Sequence, residues 1–254
     1  MKYNHILLTG ASGTLGGKLI ELNKIYKLNL LTPPKDILDI TKPDKIKKFF
    51  ENNDFEAIIH CAAMARMREC HENPGKAMET NTIGTCNLVI EALKKEKKLK
   101  KSIRFVHMST DGVYEGKEGN YSETSPTIPF NVYGWTKLGA ECAVNLLRNH
   151  CIIRTNFFEP ENIKFEESAT DAYTSKVTVD YAAKAVVKML NSNFIGTINI
   201  GKERMSDYDN YKKYKLSLKP CRLKDILKTV PFQIAKDFSM DTSLWKKIEK
   251  EKIE

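Results

Sequence analysis

Tyr133 and Lys137, in Asn131-Val132-Tyr133-Gly134-Trp135-Thr136-Lys137, stand four positions apart and so share one face of a helix, a turn from each other. A phenol is a poor acid–base at its solution pKa of about 10. A neighbouring ammonium favours the phenolate and brings that pKa toward the working range. Upstream, His107-Met108-Ser109-Thr110-Asp111-Gly112 reads as the end of a strand. There the Thr110 hydroxyl is placed to hold a carbonyl oxygen while its charge grows. Tyr-x-x-x-Lys alone also describes an amphipathic helix with an interfacial tyrosine and a solvated lysine. The Ser-Thr strand end before it, and a glycine loop near the N-terminus, give the chemical reading its weight.

That loop is Thr9-Gly10-Ala11-Ser12-Gly13-Thr14-Leu15-Gly16. It follows a short apolar strand and opens a helix, the context in which such a loop holds a dinucleotide pyrophosphate against a helix N-terminus. Gly10, Ser12, Gly13, Thr14, Leu15 and Gly16 are the candidate phosphate-side residues, in G-x-x-G-x-x-G spacing. An ordinary glycine-rich turn is the plain alternative. The second strand ends in Leu31-Thr32-Pro33-Pro34-Lys35, with no acid directly after it. An acid there would bind the ribose 2′-hydroxyl of NAD. Its absence, with Lys35 nearby, leans toward NADP over NAD, although a lysine in a surface turn is common.

These residues need a frame. Apolar runs at 5–9, 28–31, 57–60, 103–108, 151–154 and 197–200 predict six strands. Helical spacing at 15–22, 41–51, 76–95, 132–149 and 179–190 fills the intervals, with Pro43 in a first turn. Strands alternating with helices predict an α/β fold, a doubly wound parallel Rossmann sheet covered on both faces. A Rossmann domain over 1–200, a substrate-side insertion near 157–177 and a small C-terminal lobe over 201–254 are expected. Trp135 and Trp245 read as packing residues. Arg154 ends a strand and either reaches a substrate phosphate or pairs with an acid. Asp111 is expected to orient a backbone group.

The 254 residues can bury a full core, and 41% hydrophobic with 29% charged residues is a globular balance. No apolar run approaches a membrane span of about 20 residues, so no membrane contact is expected. Met1-Lys2 leads straight into a strand without a signal-peptide pattern. Cys61, Cys70, Cys86, Cys142, Cys151 and Cys221 form no CxxC pair, and no histidine cluster has zinc spacing, so no metal is expected. A reducing cytoplasm suits them. The charge of +9 lies largely in the lysines of 94–101 and the last forty residues. Without interleaved aromatics it reads as a solvated surface rather than a nucleic-acid face.

At these residues the chain resembles the extended short-chain dehydrogenase/reductases and, within them, the dTDP-4-dehydrorhamnose reductase group. The matching stretches are TGASGTLG (9–16), DILDIT (36–41), HCAAMAR (60–66), ENPGKAMETNTIGT (72–85), STDGVY (109–114), PFNVYGWTK (129–137), IIRTNFF (152–158) and VDYAAKAV (179–186), with GKERMSDYDNYKKY (201–214) and FSMDTSLWKK (238–247) near the end. The resemblance implies that Thr110, Tyr133 and Lys137 are catalytic. It places Asp39 and Ile40 by the adenine, Cys61, Ala62 and Ala63 along the cofactor, and Lys137 on the nicotinamide ribose. It implies NAD(P)H-dependent reduction of a 4-keto-6-deoxy sugar on a nucleoside diphosphate, with a homodimer left open. The group usually has a tyrosine where Gly112 stands and a tryptophan where Phe157 stands. Arg66 and Arg68 replace frequent acids, and the stretch between Phe158 and Val177 is short for the group. These departures surround the expected sugar pocket, where Arg154 and Phe157 are the candidate substrate contacts. Gly112 also argues against a dehydratase, whose glutamate at that position takes part in elimination. A nucleotide-sugar epimerase and a non-catalytic NADP-binding regulatory subunit are the alternatives.

Overall fold

A computed structural model describes residues 2–251. Its central sheet has six parallel strands: β1 (Ile6–Thr9), β2 (Leu30–Leu31), β3 (Ala57–His60), β4 (Arg104–Thr110), β5 (His150–Thr155) and β6 (Gly196–Ile200). Their spatial order is β2-β1-β3-β4-β5-β6. Successive connections leave β1 in opposite directions, toward β2 and then β3. The crevice between β1 and β3 is therefore the topological switch point, where ligands of such sheets bind at the strands' carboxyl ends.

Strands buried on both faces read as unbroken apolar runs, as Ile6-Leu7-Leu8 and Ile58-Ile59 do. On one face, α1 (Thr14–Tyr26), the helix Val179–Asn191 and the helix Ser243–Lys250 enclose Leu15, Leu19, Val186, Leu190 and Trp245. On the other, the helices Pro43–Asn52, Gly84–Leu99 and Val132–Val144 cover Phe49, Phe50, Leu88, Val89 and Val144.

Several expectations differ from the structure in detail. The helix expected over 76–95 is present as an unbroken run from Pro74 to Leu99, but a wide π turn at Glu79–Ile83 interrupts its α geometry, and a separate short helix, Met67–Glu72, precedes it. Pro74 begins one segment, where its missing N–H costs nothing. The π turn carries Asn81 inward, where it serves the site. The helix expected to reach Asn149 ends at Val144, because β5 begins at His150 and the chain must turn first. The 201–254 segment does not stay together. Its strands Met205–Ser206 and Lys219–Cys221 pair with Tyr173–Thr174 and Glu167–Ala169, while Ser243–Lys250 returns to the main core. The lobe is thus built jointly from the 157–177 stretch and residues after β6. Trp245 is buried, its Nε1 donating to the Tyr181 hydroxyl at 2.8 Å, but Trp135 is 56% exposed and packs into no core.

Candidate active site

The glycine loop turns directly from β1 into α1. Gly10 has φ of +74°, and a Cβ there would lie 2.5 Å from the Ala62 amide nitrogen. Gly16 brings α1 onto the loop, since its Cβ would meet the Gly10 carbonyl at 2.2 Å. Gly13 is different. Its backbone is extended, it opens α1, and the nearest atom to a Cβ would be the Gly10 carbonyl at 3.4 Å. The protein itself does not require glycine there, but a pyrophosphate lying on the exposed amides would.

The loop borders a cleft of about 530 Å³. Gly10, Ser12, Gly13, Lys35, Asp39, Ile40, Cys61, Ala62 and Ala63 all line it. Thr14 is exposed in the first helical turn, whereas the Leu15 side chain is buried in the core. Leu15 can serve a ligand only through its backbone at the helix terminus, whereas the Thr14 hydroxyl stays accessible. A second cleft, of about 580 Å³, lies at the strands' amino ends around His5, Asn29 and Leu99. It is remote from the groups described here, so its size does not make it the chemical site.

Asp39 accepts from the Thr41 amide at 3.0 Å and hydroxyl at 2.8 Å. Burial opposes ionisation, but the two bonds, with the charges of Lys35 and Lys42, hold the carboxyl below its ordinary range. Lys35 Nζ lies 4.0 Å from Asp39 Oδ2 and the side chain is 82% exposed. Although no acid directly follows the second strand, the cation near it thus has Asp39 beside it.

Thr110 closes β4, in register with Thr155. Its Oγ1 accepts from the Gly112 amide at 3.0 Å and donates to Asp111 Oδ1 at 3.1 Å. Asn156 donates to Asp111 Oδ2 at 2.9 Å. Asp111 thus orients side chains rather than the backbone group expected, and burial pushes its carboxyl up to about 6. A Cβ at Gly112 would lie 3.3 Å from Thr110 Oγ1 and 4.0 Å from a Tyr133 ring carbon. Gly112 therefore leaves room between these two groups.

Tyr133 and Lys137 share the helix Val132–Val144, which Asn131 caps by accepting from the Gly134 amide at 2.8 Å. Their electrostatics differ from expectation. Burial, then the charge of Asp111, pushes the Tyr133 phenol up, with Thr110 opposing. Lys137 Nζ is directed into the sheet, 3.3 Å from His107 Nε2, and burial lowers its ammonium to about 8. The phenol therefore keeps its proton at neutral pH, which suits an acid rather than a base.

Arg154, for which two readings stood open, pairs with an acid. It is buried, with Nη2 2.7 Å from Glu141 Oε2, Nε 3.1 Å from Glu141 Oε1, and Nη1 2.9 Å from the Tyr114 hydroxyl. Glu141 also accepts from Ser109. This network fastens the Tyr133–Lys137 helix to β4 and β5, and the guanidinium is spent inside the protein. Phe157 is half-buried against the core, while Phe158 meets the Tyr211 and Tyr214 rings at 4.9 and 5.5 Å. Asn81 was missed. From the π turn it accepts from the Met64 amide at 2.7 Å and donates to the Met64 carbonyl at 3.0 Å and to Thr136 Oγ1 at 2.9 Å. It ties the segment after Ala63 to the Tyr133–Lys137 helix. Its one sequence signal was a polar Thr80-Asn81-Thr82 run inside a helical pattern.

Among the described residues no group of three potential ligands could hold a metal, and no helix is long and apolar enough to cross a membrane.

Residues 4–163 match the family model described as the RmlD substrate binding domain. A dTDP-4-keto-6-deoxy-D-glucose reductase from Streptomyces niveus is 33% identical over 139 residues, 54% of this chain and 46% of that protein. Methionine adenosyltransferase 2 subunit beta from Pongo abelii is 28% identical over 182 residues, 68% of this chain and 52% of that protein. The chain spans about half the length of these curated relatives. A solved dTDP-4-dehydrorhamnose reductase from Clostridium acetobutylicum superposes with a TM-score of 0.82 at 25% identity, covering 97% of each chain.

Proposed function

The chain belongs to the RmlD substrate binding domain family, and from that premise we propose that it is an NAD(P)H-dependent reductase of a 4-keto-6-deoxy sugar carried on a nucleoside diphosphate. One observation carries the reading. A phenol held in its protonated form and the Thr110 hydroxyl flank Gly112 at the carboxyl end of β4, while the glycine-loop cleft, which none of Thr110, Tyr133 and Lys137 lines, opens at the carboxyl ends of the neighbouring strands β1 and β3. When bound, the nicotinamide supplies the hydride. Tyr133 gives its proton to the ketone oxygen. Thr110 turns its hydroxyl from Asp111 to the same oxygen as charge develops there. Lys137 holds the ribose side of the cofactor. The glycine loop and the first turn of α1 take the pyrophosphate, and Asp39 and Ile40 border the adenine.

The test is a panel of nucleoside-diphosphate 4-keto-6-deoxy sugars, with NADPH and NADH absorbance as the readout. A fall with at least one sugar is expected. A cofactor-binding regulatory subunit is the second reading, supported by the match to the Pongo abelii protein over 68% of the chain. Tight cofactor binding with no turnover on the whole panel would replace the first reading with the second.

For the cofactor we favour NADPH, through Lys35 and the 2′-phosphate. Exposure and the neighbouring Asp39 keep the gain small. Lys35→Ala should weaken NADPH about two- to threefold and leave NADH unchanged, with added salt acting in the same direction. Titration of both cofactors at two ionic strengths reads this. Equal weakening of both would exclude a 2′-phosphate contact.

A further inference from the structure

Two buried histidines lie side by side in the middle of the sheet. His60 on β3 and His107 on β4 are register partners, with ring centroids 5.2 Å apart. Their hydrogen bonds fix opposite tautomers. Thr85 Oγ1 gives its proton to the Asn81 carbonyl at 2.6 Å, so toward His60 Nε2, 2.9 Å away, it can only accept. His60 therefore carries its proton on Nε2, and its Nδ1 accepts from Thr9 Oγ1 at 2.7 Å. Lys137 faces His107 Nε2 at 3.3 Å, and an ammonium has donors only. His107 must then offer a lone pair at Nε2 and carry its proton on Nδ1. That Nδ1 is buried and has no partner among the described residues.

We propose that His107 is the positioning residue for Lys137: its neutral imidazole accepts an ammonium proton at Nε2 and anchors the amine to β4, a role that rests on Lys137 being the active-site cation. The surrounding charges agree with this assignment. Burial, Lys137 and then His60 push His107 well below the usual histidine range, so it does not compete for the proton. His60 is pushed down to about 3 by burial and then Lys137. Burial lowers Lys137 to about 8, against the raising effects of Glu141 on its own helix and of Cys61 after β3. Arg154 from β5 neutralises Glu141. The helix Gly84–Leu99 contributes Thr85, which is uncharged, and Tyr133 keeps its proton. An imidazole lone pair is then the contact that favours the charged amine, and losing it should bring the amine's deprotonation to lower pH.

The test needs no substrate. The chain has five histidines, so ring-nitrogen NMR can resolve them. At pH 7, His107 should show a protonated Nδ1 and a bare Nε2. Its signals should then change with a midpoint near pH 8, as Lys137 loses its proton. Lys137→Met should abolish that change. The Lys137 side-chain carbon signal should titrate with the same midpoint. His107→Phe should lower the midpoint by about one pH unit, and His107→Gln, which retains an acceptor, should restore most of it. A protonated Nε2 on His107 at pH 7, or a His107 signal indifferent to Lys137→Met, overturns the proposal. Either result would leave the reductase assignment to its own assay.

Discussion

Replacing Tyr133 with phenylalanine is expected to cut ketone reduction by about 10²- to 10⁴-fold, the usual contribution of a positioned proton donor, while dinucleotide affinity stays within about twofold. The substitution removes one oxygen and little else. Helix capping by Asn131, the Thr136 hydroxyl bond to the Tyr133 carbonyl and the Glu141–Arg154 pair do not involve the phenol. The ring keeps its half-buried place beside Gly112. Because the phenol is raised rather than lowered, neutral solution holds it in the donor form, and its own titration cannot limit the rate there. The alkaline limit should instead come from Lys137, near pH 8. Cofactor titration and single-turnover absorbance on the same samples separate binding from chemistry. Near-normal turnover of a sugar reduced by the unmutated protein would remove Tyr133 from the mechanism.

The parts of this architecture that were legible in the sequence share a local cause. β3 was read at its observed bounds because Ala57-Ile58-Ile59-His60 is a short apolar run buried on both faces. The glycine loop was legible because it lies between a strand and a helix. What escaped were features set by partners distant in the chain. The π turn at Glu79–Ile83 is maintained by Asn81 reaching Met64 and Thr136, and no periodicity encodes that. The paired strands of the lobe are two or three residues long, too short to carry an alternating pattern. Helical spacing correctly put Tyr133 and Lys137 on one face but could not reveal that Lys137 turns to His107. That depends on β4 lying beneath the helix, and it is burial, then Asp111, that pushes the phenol up rather than down. Arg154 was undecidable for the same reason, since Glu141 reaches it only across the helix–sheet interface.

Gly13 offers the sharpest separation of binding from folding. At Gly10 or Gly16 a side chain would collide with backbone at 2.5 or 2.2 Å, so loss of binding there would report only a damaged turn. At Gly13 the backbone has φ −82° and ψ 169°, a region open to valine, and the nearest neighbour of a Cβ would be the Gly10 carbonyl at 3.4 Å. Gly13→Val should therefore fold. Valine is a poorer N-cap than glycine, and a loss of about 1 kcal/mol would lower Tm by roughly 2–4 °C in a chain of this size. The branched side chain would instead project into the cleft that Gly13 lines, where a pyrophosphate needs the helix N-terminus. Forfeiting two charge-assisted backbone bonds at about 1.5–3 kcal/mol each weakens binding by roughly 10²- to 10⁴-fold. NAD and NADP should suffer alike, since both carry the same pyrophosphate. Calorimetric titration with each dinucleotide, beside a thermal melt of the same preparation, distinguishes the outcomes. Unchanged affinity in a folded mutant would mean that the phosphates do not lie on this loop. Loss confined to NADP would place the 2′-phosphate there instead, and the Lys35 contact would fall with it.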